Sequence, residues 1–136
     1  MKFFSYLILS FCTLLNALAQ DSFSVGDWRE HLPHSKIKEL AIINDIYYAS
    51  TPFSLVEFNK LTNEITKYST VNGLNEVGIA SIAANEHQNT LIIGYESSNI
   101  DLLKDGEITN ISSILNSNIT GDKSIYEMVC KDRYVY

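Results

Sequence analysis

The order of apolar runs and polar turns in residues 91–111, which read LIIGYESSNIDLLKDGEITNI, determines the fold class of this chain. Three short runs rich in Ile, Leu and Tyr have the length of β-strands, and polar turn residues separate them. Residues 99–103 alternate along the second run, and this period of two places one strand face in the core and the other toward water. The Asp105-Gly106 pair then predicts a tight hairpin turn, because such a turn requires positive φ at both central positions.

The same series of runs occurs earlier in the chain. Residues 46–68 read IYYASTPFSLVEFNKLTNEITKY, and their runs align with those of residues 91–111 at offsets of 45 and 43 residues. A further apolar run precedes each series, at residues 37–42 and 79–83. A third copy begins at Ile125, so the starts of the three copies lie 42 and 46 residues apart. An internal repeat of this length predicts a modular architecture.

Four short strands in every 40 to 50 residues or so are typical of a β-propeller blade. We therefore predict an all-β fold built from blades of four antiparallel strands, with residues 37–136 forming two blades and part of a third. A blade relies on its neighbours to cover its faces, and a propeller needs at least about four blades to close. The chain is accordingly interpreted as a fragment that carries an incomplete propeller. A β-sandwich is the competing architecture.

The N-terminal region predicts export. Residues 1–19 combine a short positive start, an apolar run and the small-x-small pattern Ala17-Leu18-Ala19, which together are typical of a secretory signal peptide. A membrane anchor is the alternative, but about 16 apolar residues are short for a span, which needs roughly 20. Residues 20–36 form a lead-in segment before the first repeat. Since no later stretch could span a bilayer, we expect an exported protein at the cell surface or in the periplasm.

The charge balance excludes some partners. Ten Lys and Arg against 16 Asp and Glu give a formal net charge of −6. A protein that binds nucleic acid needs a basic face to displace counterions from phosphates, so nucleic acid is not an expected partner. A hydrophobic content of 46% with only 19% charged residues excludes a disordered chain.

Few side chains in the sequence suggest chemistry. No catalytic, phosphate-binding or metal-binding motif occurs, so no catalytic residue, metal site or cofactor is predicted and the ligand-binding residues stay unassigned. Cys130 lies in an apolar run and is expected in the core, since no His that could activate a thiol is near it in sequence. Trp28 is expected to pack the lead-in segment against the first repeat, with ligand stacking as the alternative. The histidines and two carboxylate pairs are expected in solvated loops, in turns or at strand ends: His31, His34, His87, Asp21 with Asp27, and Asp101 with Asp105.

Two families share residues with this chain. The segment Val71-Asn72-Gly73-Leu74-Asn75-Glu76-Val77-Gly78-Ile79 resembles the start of the two-component-regulator propeller repeat, which occurs in periplasmic sensor domains of hybrid histidine kinases and in surface proteins of Bacteroidetes. A larger set of segments, in this order, resembles the N-terminus of PorZ-type proteins of the type IX secretion system: residues 27–33 (DWREHLP), 50–55 (STPFSL), 72–79 (NGLNEVGI), 98–102 (SNIDL) and 119–123 (ITGDK).

The second resemblance implies a non-enzymatic surface protein with two propellers and a C-terminal β-sandwich. Its implied role is to bind anionic lipopolysaccharide and to present it to the sortase complex that attaches secreted cargo, with other type IX secretion proteins as partners. An acidic module is a poor electrostatic receptor for an anionic glycan, so we expect the lipopolysaccharide contacts in domains outside this segment. The alternative function is a ligand-sensing propeller of a hybrid two-component histidine kinase. An enzymatic propeller has no supporting residue.

Overall fold

The computed structural model describes Leu32 and residues 34–136. The predicted signal peptide and four of the residues discussed above lie outside the described part: Asp21, Asp27, Trp28 and His31. The described residues contain ten β-strands. Within this part of the chain, no helix has the length and apolar character that crossing a membrane requires.

The first four strands form one antiparallel sheet in the order β1-β2-β3-β4, which we call blade 1. Its strands are β1 (Glu39–Ile43), β2 (Ile46–Ser50), β3 (Leu55–Asn59) and β4 (Glu64–Tyr68). Ile43 pairs with Ile46 across a two-residue turn, in which Asn44 adopts a φ of 52°. Asn tolerates this left-handed conformation better than most residues, which explains its position at the turn.

The next four strands repeat this sheet in the same order and are called blade 2. They are β5 (Ile79–Asn85), β6 (Thr90–Tyr95), β7 (Ile100–Lys104) and β8 (Glu107–Ile111). Lys104 pairs with Glu107, and the two residues between them have φ values of 50° at Asp105 and 82° at Gly106. The hairpin predicted from this pair is therefore confirmed.

The third copy is shorter than expected. Its strands are β9 (Cys130–Lys131) and β10 (Tyr134–Val135), and the expected strand start at Ile125 is wrong. Val129 and Tyr136 exchange two backbone hydrogen bonds of 2.9 Å, which extends the hairpin by one pair. Lys131 pairs with Tyr134, and each earlier residue of this strand pairs with a later one. In this register the partner of Ile125 would follow residue 136, so Ile125 has no opposing strand among the described residues.

Blades 1 and 2 pack face to face around one hydrophobic core. Blade 1 contributes Tyr48 and Leu55, and blade 2 contributes Leu91, Ile93 and Leu103, all buried. Two sheets with the same strand order, stacked along the sequence, are neighbouring blades of a β-propeller. The described residues are thus part of a propeller, which confirms the predicted fold class.

Blade 1 covers one face of blade 2, and the third copy covers part of the other face. In residues 99–103, the face that carries Asp101 packs toward blade 1, whereas Leu102 on the other face packs against a cluster that contains Met128 of the third copy. The expectation that one face of this run meets water is therefore wrong, because each face of a middle blade is an interface. Gly94 allows the close approach, since a Cβ there would lie 2.8 Å from Cε of Met128.

Strand pairing corrects the alignment of the second strands by one residue. Ser50 pairs with Leu55, and Gly94 pairs with Ile100. Leu55 and Ile100 are equivalent residues, 45 positions apart, as the sequence alignment predicted. Their partners Ser50 and Gly94 are therefore equivalent too, but they are 44 positions apart. The sequence alignment had used an offset of 45 for this strand as well. The extra residue lies in the turn between β6 and β7. A shift by one residue exchanges the two faces of a strand, so Tyr48 corresponds to Ile92.

Candidate functional site

The segment between the blades, residues 69–78, is held by several hydrogen bonds, and we call it the crossover. At its start, the side-chain oxygen of Asn72 accepts the N–H of Ser69 at 2.7 Å, and the N–H of Leu74 donates to the carbonyl of Ser69 at 2.9 Å. At its end, the N–H of Gly78 donates to the carbonyl of Pro52 at 2.8 Å. Leu74 is buried between the blades. The side-chain amide of Asn72 also donates to the carbonyl of Lys67 in β4 at 2.6 Å, so both ends of the crossover are fixed to blade 1.

The middle of the crossover is fixed to blade 2 by Asp101. One carboxylate oxygen of Asp101 accepts the backbone N–H of Asn75 at 2.9 Å and the hydroxyl of Tyr95 at 2.6 Å. The other oxygen accepts the side-chain amides of Asn75 at 2.9 Å and of Asn110 at 2.8 Å. Asp101 is fully buried, and we call this set of four residues the Asp101 network. It joins the crossover to three strands of blade 2.

The Asp101 network has a structural function rather than a catalytic one. A carboxylate offers about four acceptor positions, and donors occupy that many here. Burial, then the hydrogen bond to Asp101 and its negative charge, raise the pKa of Tyr95 above its ordinary value of 10.0. Tyr95 therefore remains a neutral donor at physiological pH. No lone pair of Asp101 is left to act as a general base on a substrate.

The expectation of a solvated position is confirmed for Asp105 and is wrong for Asp101. Asp105 lies in an exposed turn, as expected, whereas Asp101 lies in the middle of β7 and is 0% exposed. The sequence predicts a solvated position for Asp101, at a strand end or in a turn, but its face of β7 packs toward blade 1. The partners that make burial of the charge possible come from positions 6 to 26 residues away, so proximity in sequence could not reveal them.

The surface beside the network is rich in oxygen atoms. Asn99 donates to one oxygen of Glu76 at 3.2 Å, and the hydroxyl of Ser97 donates to the other. Because the carboxylate of Glu76 carries negative charge, this part of the surface is unfavourable for an anionic ligand.

An open groove of about 760 Å³ lies on the second face of blade 2. Ile92, Ile100 and Leu102 form its apolar floor, with Arg133 and Val135 beside them. The strand pairing gives each floor residue a counterpart in blade 1, and two of these counterparts, Tyr48 and Leu55, are buried against blade 2. The groove therefore corresponds to a surface that is filled by blade packing between blades 1 and 2.

A second cavity of about 540 Å³ brings together side chains that are distant in sequence. His87 and Cys130 both line it, together with Glu86 and Asp132. The described residues contain no group of three or more His, Cys, Asp or Glu side chains placed to hold a metal ion. Cys130 is half-buried and has a free thiol, so the expectation of a fully buried core position is wrong, because β9 packs on blade 2 with one face only.

The two described histidines lie in different environments. His87 is exposed in the turn between β5 and β6, as expected for a loop histidine. His34 is half-buried, and its Nδ1 atom lies 3.0 Å from the hydroxyl oxygen of Ser54. His34 thus connects the end of the lead-in segment to the turn between β2 and β3.

Comparison with known proteins gives two matches. A family model described as the PorZ N-terminal β-propeller domain of the type IX secretion system matches residues 46–136. A solved structure of PorZ, described as an essential bacterial surface component of the type IX secretion system of Porphyromonas gingivalis, is similar in fold, with a TM-score of 0.66 and 24% sequence identity. The similarity covers 74% of this chain and 14% of that chain. No curated protein matches the chain.

Proposed function

Because this chain belongs to the family of PorZ N-terminal β-propeller domains, we propose that it is the propeller part of a non-enzymatic type IX secretion component at the bacterial surface. The match over residues 46–136 carries this proposal, because this range includes three of the four strands of blade 1, all of blade 2 and the third hairpin. The environment of Asp101 agrees with a non-enzymatic role. This buried carboxylate accepts four hydrogen bonds from the protein itself, so its oxygens are not available to a substrate.

The domain organisation of the full-length protein follows the same proposal. Residues 1–19 are a signal peptide that directs export, and residues 20–36 are a lead-in segment. Residues 37–136 are two blades and the start of a third, and further blades of the same chain complete the propeller. The open groove on blade 2 supports this organisation, because it presents an apolar surface that matches an interface already filled between blades 1 and 2.

The full-length protein binds anionic lipopolysaccharide and presents it to the sortase complex for attachment to cargo. The contacts to lipopolysaccharide lie in domains outside these blades. Two features support this placement: the formal net charge is −6, and the carboxylate of Glu76 lies on the surface beside the Asp101 network. The blades then serve as a rigid frame that holds the binding domains and the other secretion proteins in position.

The histidine-kinase sensor remains the second candidate in principle, since its domain has the same architecture. The match of residues 46–136 to the PorZ model favours the secretion role. A sensor would respond to a small ligand in its propeller, whereas the open groove on blade 2 matches a surface for blade packing.

A deletion of the reading frame tests the secretion role. We expect cargo proteins to be secreted without attachment to the cell surface, and we expect the full-length gene to restore attachment. Normal anchoring of cargo in the deletion strain would overturn the role. A binding assay with purified lipopolysaccharide tests the placement of the contacts. The full-length variant Lys104→Ala with Arg133→Ala should bind with unchanged affinity, and a large loss would move the binding site into this domain.

A further inference from the structure

The innermost strands of consecutive blades are connected by hydrogen bonds from side chain to backbone. In blade 1, a carboxylate oxygen of Glu39 accepts the N–H of Ile82 in blade 2 at 2.7 Å. In blade 2, the hydroxyl oxygen of Ser81 accepts the N–H of Met128 in the third copy at 3.0 Å. The first bond thus joins β1 to β5, and the second joins β5 to the segment directly before β9.

The four residues of these bonds occupy equivalent positions in the repeat. Ile43 pairs with Ile46 across a turn, Asn85 pairs with Thr90, and Lys131 pairs with Tyr134. The first strands of the three copies therefore end at Ile43, Asn85 and Lys131, which are 42 and 46 residues apart. The acceptors Glu39 and Ser81 are also 42 residues apart, and the donors Ile82 and Met128 are also 46 residues apart. The two hydrogen bonds are therefore equivalent contacts at two successive junctions of the repeat.

A first strand needs such a bond because one of its edges has no neighbouring strand. In antiparallel pairing, alternate residues direct their N–H groups away from the partner strand, where they require another acceptor. Ile82 and Met128 are residues of this kind, and an acceptor on the preceding blade satisfies each of them. The two-residue turn at Ile43 gives Leu40 the same orientation in β1.

We propose that Glu127 continues this series and accepts a backbone N–H from the first strand of the following blade. Glu127 stands 46 residues after Ser81 and 88 residues after Glu39, at the equivalent position of the third copy, and it is a glutamate like Glu39. Its exposed side chain leaves the acceptor oxygens accessible to a strand that packs beside β9. The partner is therefore a β-strand edge of the same protein, which adds the next blade to the ring.

Hydrogen–deuterium exchange in the full-length protein tests this proposal. Glu39→Ala serves as the reference, because the amide of Ile82 loses its acceptor and should exchange about tenfold faster, as expected for the loss of one hydrogen bond. Glu127→Ala should cause a similar acceleration in a peptide beyond Tyr136. Glu127→Gln keeps an oxygen acceptor and should preserve the protection. Glu107→Ala, an exposed position on the outermost strand β8, is the matched control.

The outcomes separate clearly. If Glu127→Ala and Glu107→Ala give the same exchange in all peptides beyond Tyr136 while Glu39→Ala exposes Ile82, the proposal is overturned. If Glu127→Ala does not fold, Glu127→Asp replaces it, since the shorter side chain withdraws the oxygens from the strand, and the same comparison with Glu107→Ala applies. The secretion role does not depend on this result, because cargo attachment is measured separately.

Discussion

Asp101 accepts both the backbone N–H and the side-chain amide of Asn75, each at 2.9 Å. The two residues are 26 positions apart, one in the third strand of blade 2 and one in the crossover that precedes this blade. Their double contact holds the crossover against blade 2, while Gly78 and Pro52 hold it against blade 1. The position of one blade relative to the other is therefore set by polar contacts in addition to the shared hydrophobic core.

The variant Asp101→Asn should destabilise the propeller by about 2–3 kcal/mol. The substitution replaces one acceptor oxygen by an NH2 group, which would face donors of the surrounding residues. It also removes the negative charge that strengthens the remaining hydrogen bonds. Urea unfolding of the full-length protein measures the change. Asp105→Asn is the matched control, since Asp105 lies in an exposed turn at a φ of 50°, which Asn also adopts readily. Equal stability of the two variants would contradict the structural role of Asp101.

Gly78 joins the crossover to β5 at a φ of 81°, a conformation that residues with a Cβ rarely adopt. Gly78→Ala should therefore cost about 1–2 kcal/mol, although the added Cβ would have room, with its closest neighbour in Glu96 at 3.8 Å. Gly121→Ala provides the comparison, because a Cβ at Gly121 would meet no atom within 4 Å. If both variants unfold at the wild-type urea concentration, the strain at Gly78 has been assigned wrongly.

The sequence was sufficient to predict the blades but not their interfaces. The turn at Asp105-Gly106 and the apolar runs gave the eight strands of both sheets, since these features depend on neighbouring residues. The burial of Asp101 and the bond between Glu39 and Ile82 depend on contacts between blades. A period of two cannot distinguish a face that meets water from a face that meets another blade when polar side chains occur in the interface.

Alkaline pH should weaken the packing between the blades. Burial, followed by the negative charges of Glu57 and Asp105, raises the pKa of Tyr48 from 10.0 to about 12. Since the folded pKa is above the unfolded one, the contribution of neutral Tyr48 is complete below pH 10 and is lost as the pH rises toward 12. Urea unfolding of the full-length protein across this range should show the loss.

The variant Tyr48→Phe cannot ionise at this position, so its stability should fall less steeply with pH across the same range. Wild-type protein and the variant should differ in slope only above the unfolded pKa, and their slopes near neutral pH should agree. Identical alkaline slopes would show that Tyr48 ionises equally easily in the folded and unfolded states.

Blade 1 has an outward face whose residues correspond to buried residues of blade 2. Leu40 is 68% exposed, whereas its counterpart Ile82 is 3% exposed because blade 1 covers it. If another blade covers Leu40 in the full-length protein, Leu40→Asp should cost about 3 kcal/mol or more. Leu61→Asp, at a leucine 74% exposed in the turn between β3 and β4, should stay within about 0.5 kcal/mol. Small effects of equal size would contradict the covering blade.

An experimental structure of the full-length protein tests the central claim most directly, namely that the two sheets are consecutive blades of a closed propeller. We expect a four-stranded sheet of the same chain on the outward face of blade 1, with its side chains against Leu40, Tyr47 and Ile65. We also expect an acceptor from its first strand at the N–H of Leu40. A structure in which this face meets solvent, or packs against anything other than a sheet, would contradict the account.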